Sequence, residues 1–153
     1  MKRSDYIVAL SRDHHFGLLF SWKIKQGLKL QADVNRISKY AGYFWTHHLK
    51  KHFEEEENLL FNKWPHEGCN RALKDHQAIE KKITAITTSK ASEQDFIELA
   101  EMIDDHIRFE ERELFPFLEQ NIPVQELILM GAELDKLHKK PVEDNFEDAF
   151  WIK

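Results

Sequence analysis

The chain has 153 residues, the size of a single domain with one hydrophobic core. Apolar residues make up 42% and charged residues 32%, which excludes a disordered chain, and five glycines with four prolines are too few for a turn-rich all-β fold. The net charge of −5 argues against a nucleic-acid-binding surface.

Cysteine content and hydropathy bear on the cellular location. Cys69 is the only cysteine, so the chain can form neither an internal disulfide nor a thiolate metal site. The apolar run at residues 7–10 is too short for a signal-peptide core, and no run approaches about 18 apolar residues. We therefore expect a cytoplasmic protein without a membrane-spanning segment.

Apolar residues recur with helical spacing through most of the chain. The spacing predicts a first helix over residues 10–30. Asp33 is placed to cap a long second helix, which Pro65 would end. After a loop through Gly68, a third helix is predicted near residues 69–88.

Two further helices follow in the C-terminal half. Ser92 with Asp95 is typical of a helix N-terminus and opens a fourth helix that runs to about residue 120. Pro123 opens a shorter fifth helix, which ends before Pro141. Short connections between long amphipathic helices predict an all-α, up-down-up-down four-helix bundle with an additional short C-terminal helix.

The expected organisation is a helical bundle over residues 1–140 and a C-terminal tail over residues 141–153. The tail carries Phe146, Phe150 and Trp151, which favour an amphipathic turn of helix and are costly to leave in water. We expect the tail to pack against its own bundle. Contact with a second copy is the alternative, so the chain is predicted to be a monomer or a homodimer.

A weak internal repeat relates the two halves of the bundle. Residues 52–61 read HFEEEENLLF and residues 106–115 read HIRFEERELF. An Asp-His pair also opens the matching part of the first helix, at residue 14, and of the third helix, at residue 76. The pattern indicates two helix pairs of similar design.

The repeat brings metal-ligating residue types onto shared helix faces. His52 with Glu56, and His106 with Glu110, present an imidazole and a carboxylate one turn apart. Carboxylates buried in a core require a compensating charge, which a dinuclear cation site supplies. The predicted metal ligands are one histidine from each of four helices and two glutamates: His14, His52, Glu56, His76, His106 and Glu110.

The donor types favour two iron ions, with zinc or manganese as alternatives. Two octahedral irons offer about twelve positions, and four histidines, two bridging glutamates and one oxo or hydroxo bridge leave about two of them open. Dioxygen, nitric oxide or peroxide could bind there.

Two histidines leave the ligand set open. His14 is preferred over His15 because it shares a face with Leu10, where small Gly17 leaves room for a diatomic ligand. Small Ser21, on the same face, is expected to leave room for the ligand as well. His48, one turn before the second-helix ligand, is either an additional ligand, a hydrogen-bond partner of a ligand, or structural.

The remaining acids and histidines near these motifs are expected on the surface. Glu80, one turn after the third-helix histidine, is assigned to a surface pair. The other residues expected in solvent are Glu54, Glu55, Glu57, His47, His66 and His138.

Over residues 10–118 the chain resembles the hemerythrin-like HHE cation-binding family. The resemblance rests on the order His, HxxxE, His, HxxxE, and it implies a non-haem di-iron centre in a four-helix bundle, held by the six residues named above. The oxygen-carrying hemerythrins have a second histidine where this chain has Glu80, and an aspartate where it has Glu110. These differences argue against reversible oxygen carriage.

The favoured function is a hemerythrin-like di-iron protein that binds or senses dioxygen or a related small ligand, or that handles iron. An enzyme acting on peroxide or another oxidant is the second hypothesis. A metal-free helical interaction module is the third. No catalytic residue is assigned, and neither nucleic acid nor membrane is expected as a partner.

Overall fold

The computed structural model describes residues 5–138 and 144–153 and is all-α over these ranges, with five helices as predicted. Within them, no helix combines the length and apolar character needed to cross a membrane. Helix α1 is Val8–Lys29, α3 is Glu67–Thr88 and α5 is Val124–Leu137. Helix α2 spans residues 34–61 and α4 spans residues 93–121.

Helices α2 and α4 each contain π-helical turns. In α2, the α-helical segments Val34–Phe44 and Lys50–Glu56 are each followed by a π-helical one, Trp45–Leu49 and Glu57–Phe61. In α4, the α-helical segments Glu93–Phe109 and Phe115–Asn121 flank the π-helical segment Glu110–Leu114. The repeat motif therefore continues into a π-helical turn in both halves of the chain.

The helix ends mostly follow the predicted caps. The Asp33 carboxylate accepts from the backbone N–H of Asn35, and Ser92 with Asp95 forms a full capping box. Helix α3 begins earlier than predicted, because the His66 ring accepts from the N–H of Gly68 and caps it. Helix α2 ends at Phe61, four residues before Pro65.

The four long helices form a closed ring, in which α1 packs against α2 and α4, and α3 packs against the same two helices. Their apolar residues form two separate core clusters. One is centred on Phe20, Phe44 and Phe96, and the other on Phe61 and Phe115. The predicted ligands lie at the boundary between these clusters on each of the four helices, so the site occupies the middle of the bundle.

The described part of the tail, residues 144–153, packs on the bundle as predicted. Phe150 is only 2% exposed, and its ring lies so close to Gly27 that a Cβ there would be 2.5 Å away. The Lys23 ammonium binds Asp144 at 2.9 Å and lies 4.1 Å from the centre of the Trp151 ring. The expected turn of helix is wrong: residues 144–153 contain no helix, and their backbone forms a tight turn in which the Ile152 N–H donates to the Ala149 carbonyl at 3.1 Å.

Candidate metal centre

The six predicted ligands converge at one place in the bundle. Each of the four helices contributes one buried histidine, and α2 and α4 each contribute a glutamate that is 0% exposed. These residues are His14, His52, Glu56, His76, His106 and Glu110. Because His52 and Glu56 share one helix face, and His106 and Glu110 another, local geometry already points each pair in the same direction.

Glu56 contacts histidines from three helices. Its Oε1 lies 3.1 Å from His76 Nε2 and 3.3 Å from His52 Nε2. Its Oε2 lies 3.7 Å from His14 Nε2. Glu56 therefore links the histidines of α1 and α2 to the histidine of α3.

Glu110 takes the matching position from α4. Its Oε1 lies 3.1 Å from His14 Nε2 and 3.0 Å from His106 Nε2. The Nε2 atoms of His76 and His106 are themselves only 3.1 Å apart, so both rings aim at the same point.

The donor atoms form two groups that share both glutamates. In each group, one atom per residue can be chosen so that all lie within 4.8 Å of one another. The first group is His14, His52, Glu56 and Glu110, and the second is His76, His106, Glu56 and Glu110. Each group could hold a metal ion, and Glu56 and Glu110 belong to both groups.

A ring of four acids holds the outward nitrogens of the histidines. Each histidine Nδ1 lies within hydrogen-bonding distance of a carboxylate on the preceding helix of the ring. For the α1 histidine this carboxylate is on α4. The pairs are His14 with Glu111 at 3.0 Å, His52 with Asp13 at 3.0 Å, His76 with Glu57 at 2.8 Å and His106 with Asp75 at 2.9 Å. Such a partner favours the tautomer in which Nδ1 carries the proton and Nε2 can bind a metal.

The inward atoms fit cations better than they fit one another. Within the described ranges, His52 Nε2, both Glu56 oxygens and Glu110 Oε2 are buried but form no hydrogen bond of normal geometry. Buried polar atoms without such bonds are costly. Imidazole nitrogens and carboxylate oxygens are ligands for first-row transition metals, so the donor set fits metal binding.

The charges of the cluster shift the histidine pKa values upward. Burial alone would lower the pKa of His52, but the nearby Glu56 carboxylate and the hydrogen bond to Asp13 outweigh it and raise the pKa to about 10. The pKa of His106 rises to about 9 against the same burial penalty, mainly through Glu110 and Asp75. Without metal, the carboxylates therefore favour imidazolium, and bound cations would replace those protons.

The structure points His14, and not His15, into the cluster. His14 is 4% exposed, whereas His15 is exposed and shares its face with Leu18 and Trp22, which are 47% and 51% exposed. His48 lies outside both donor groups, with its ring 5.2 Å from that of Phe44.

Three residues expected in solvent, Glu55, Glu57 and His138, are instead partly or largely buried. Glu55 is 6% exposed and accepts a hydrogen bond at 2.6 Å from His138, which is itself largely buried. Glu57 binds His76 at 2.8 Å. Helix packing covers these side chains, which a single helix would leave on a polar face. Glu54, His47, His66 and Glu80 are exposed as expected.

The sequence pattern did not identify as functional residues the carboxylates that accept from the Nδ1 atoms. Asp13 and Asp75 directly precede the histidines of α1 and α3. Glu57 and Glu111 directly follow the two glutamates of the cluster. Their matching positions in the internal repeat were the available signal.

A cavity of about 380 Å³ reaches the cluster from one side. Its wall includes the rings of His14, His52 and His106, together with Gly17. Ser21 is outside the cavity wall, because its hydroxyl donates to the Ala100 carbonyl between α1 and α4. The further lining side chains include Phe16, Tyr43, His47, His48 and Lys51.

Comparison with known proteins agrees with this geometry. The family model described as the hemerythrin HHE cation binding domain matches residues 10–118. An uncharacterized hemerythrin-like protein of Schizosaccharomyces pombe is 28% identical over 126 residues, which cover 74% of this chain and 61% of that relative. No solved structure matches the chain significantly. Because the family model covers most of its length, the chain belongs to the hemerythrin HHE cation-binding domain family.

Proposed function

We propose that this chain is a non-haem di-iron protein that binds or senses dioxygen or a related small ligand, or handles iron. The observation that carries the proposal is the pair of donor groups sharing Glu56 and Glu110. The proposed metal ligands are those two glutamates with one histidine from each helix of the bundle: His14, His52, His76 and His106.

The charge of the site supports metal of high positive charge. Six carboxylates surround four imidazoles, namely the two central glutamates and the four acids on the Nδ1 atoms. Four imidazolium ions would leave this cluster negative. Two divalent cations with neutral imidazoles would leave the same negative charge, whereas two trivalent cations would balance the six carboxylates.

Iron, when bound, would supply open coordination positions and redox chemistry for a small ligand. The chain supplies the environment. The Nδ1 partners orient the rings, and Glu56 and Glu110 stand between the two donor groups. Apolar residues on both sides keep water away, and the cavity provides access from one side.

Metal analysis of the purified chain tests the proposal. We expect two iron ions per chain after expression with iron, and a lasting charge-transfer absorption band when anaerobic protein is exposed to air. Protein that carries no metal under these conditions would contradict the proposal and favour the helical interaction module.

Matched variants test the ligand assignment. His52→Ala and Glu56→Ala are expected to lose metal, because each removes a donor from the buried cluster. Glu80→Ala is the control, since Glu80 is exposed on α3 one turn after His76. Equal metal loss in all three variants would contradict the assignment.

The cavity favours an enzyme as the second candidate. Its volume of about 380 Å³ exceeds the space that a diatomic molecule needs, and it reaches three of the four histidines. A di-iron enzyme acting on peroxide or another oxidant would consume its substrate continuously. Steady-state peroxide consumption by the iron-loaded chain, abolished in Glu56→Ala, would support this alternative.

The proposal includes a cellular setting and a domain division. A cytoplasmic location is supported by the single cysteine, Cys69, which is buried and free. Residues 1–140 would form the metal-binding bundle and residues 141–153 its tail.

A further inference from the structure

A third group of donors lies beside the candidate centre. Asp13 of α1, Glu55 of α2 and His138, which follows α5, offer atoms that all lie within 4.8 Å of one another. His138 Nε2 is 2.6 Å from Glu55 Oε2 and 3.9 Å from Asp13 Oδ2. None of the three belongs to the two central donor groups.

The group combines two carboxylates and one imidazole in a largely buried position. Glu55 is 6% exposed, and the side chains of Asp13 and His138 are 14% and 16% exposed. The ammonium of Lys51, which lines the same cavity, donates to the Leu137 carbonyl at 3.0 Å. Two largely buried carboxylates beside one imidazole form a donor set that suits first-row divalent cations.

The position of the group connects it to the centre. Asp13, Glu55 and His138 line the same cavity that His14 and His52 line. Asp13 also accepts from His52 Nδ1 at 3.0 Å, so one side chain touches both sites. A cation held by these three residues would stand in the cavity beside the central donors.

We propose that Asp13, Glu55 and His138 form an outer cation site, which binds a divalent first-row metal ion such as Fe²⁺ or Mn²⁺ and passes it to the central donors. Cation binding at the outer site is inferred from these three residues alone. The passage to the central donors rests on the proposed function. Two measurements separate these parts.

Titration of the full-length chain, carrying its purified metal, with Mn²⁺ measures the outer site. We expect one further equivalent of Mn²⁺, followed by the EPR signal of the free ion. Glu55→Gln and His138→Ala should lose this equivalent and keep the purified metal. Glu54→Gln, at the exposed neighbouring position, should bind Mn²⁺ like the parent chain.

Glu55→Gln keeps an oxygen that can accept from His138, so loss of the extra equivalent at an unchanged melting temperature reports on binding rather than on folding. Absence of a further equivalent in the parent chain would overturn the outer site, and so would its retention in both variants. Failure of the proposed function would look different. The purified chain would then lack central metal, while an equivalent sensitive to His138→Ala would still bind.

Rapid-mixing uptake of Fe²⁺ by metal-stripped chain measures the passage. Glu55→Gln should fill the central donors several-fold more slowly than the parent chain and reach the same final occupancy of the central donors. Glu54→Gln should load at the parent rate. An unchanged rate in Glu55→Gln would overturn the passage.

Discussion

At the scale of single residues, the Nδ1 of each histidine, which points away from the cluster, is as important to the site as the Nε2, which points into it. The Nδ1 of His76 is held by Glu57 and that of His106 by Asp75, each from the preceding helix. A carboxylate there orients the ring and raises its basicity toward metal. The ligand set therefore depends on side chains that would not touch the metal themselves.

Glu57→Gln and Asp75→Asn should weaken metal binding without removing a ligand. We expect metal affinity to fall by about 10- to 100-fold in each variant, with unchanged stoichiometry at saturating metal. Competition with a chromophoric chelator measures the affinity. Glu54→Gln is the exposed control on α2, and an equal loss of affinity in that variant would contradict a specific role for the Nδ1 partners.

The orientation of α1 gives a second residue-scale prediction. His14→Ala should lower iron stoichiometry and abolish the charge-transfer band, because His14 Nε2 lies 3.1 Å from Glu110 Oε1 inside the cluster. His15→Ala should change both weakly, since that ring is exposed. The reverse result would mean that α1 is rotated by one residue.

At the scale of elements, the π-helical turns adjust the register of the two helices that carry HxxxE. Glu57–Phe61 follows the α2 glutamate directly, and Glu110–Leu114 starts at the α4 glutamate. The wider turn helps to place the glutamate toward the site and the following Leu-Phe pairs, Leu60-Phe61 and Leu114-Phe115, in the second core cluster. In a regular α-helix, the glutamate and the Leu-Phe pair that follows it would be at a different angle to each other about the helix axis.

The tail is an element anchored on the bundle by a buried ring. Phe150→Ala should lower the free energy of unfolding by about 3–5 kcal/mol, because it empties a fully buried aromatic site beside Gly27 and Tyr40. Urea denaturation measures the change. Ile152→Ala, two residues later and 66% exposed, is the control and should stay within about 0.5 kcal/mol of the parent chain.

A comparable loss in Ile152→Ala would mean that the tail contributes through a surface other than the one described. Lys23 and Arg36 also bind the tail, through Asp144 and Asp148. The Arg36 pair is exposed, so screening by water leaves it a small share of the stability.

At the scale of the whole molecule, a polar cluster separates two apolar cores. The cores support the bundle from both ends, while the carboxylates and imidazoles in the middle need either protons or metal. Folding stability is therefore coupled to the protonation of this cluster and to metal binding.

The metal-free chain should lose stability as the pH rises from 6.5 to 9.5. The folded pKa values of His52, about 10, and His106, about 9, exceed the unfolded value of 6.5. Their protonated forms therefore stabilise the fold fully below pH 6.5, and this contribution is lost as the pH rises through the folded values. Urea unfolding of metal-stripped chain should show a decrease on the order of a few kcal/mol.

The metal-loaded chain is the control for this pH dependence. Its ligating nitrogens carry metal in place of protons, so its stability should change much less over the same range, and it should melt higher than the metal-free chain. A flat profile for the metal-free chain would contradict imidazolium in the cluster. Identical melting of both forms would count against a buried metal site.

The sequence by itself determined the helices, their order and the six converging side chains. Helical periodicity, caps such as Ser92 with Asp95, and the i to i+4 spacing of the HxxxE motifs are local properties, so they could be predicted without tertiary contacts. The choice of His14 over His15 as the inward side chain was also predictable, since it follows from the apolar face of one helix.

Only the tertiary structure determined which acids accept hydrogen bonds from the histidine Nδ1 atoms and which acids are buried. The Asp13 carboxylate reaches His52 on another helix, and Glu55 is buried because the end of α5 brings His138 over it. Contacts of this kind depend on how neighbouring helices pack and on the π-helical turns that shift their register. Single-helix periodicity carries no information about either, so Glu55 and Glu57 were predicted to lie on a solvated face.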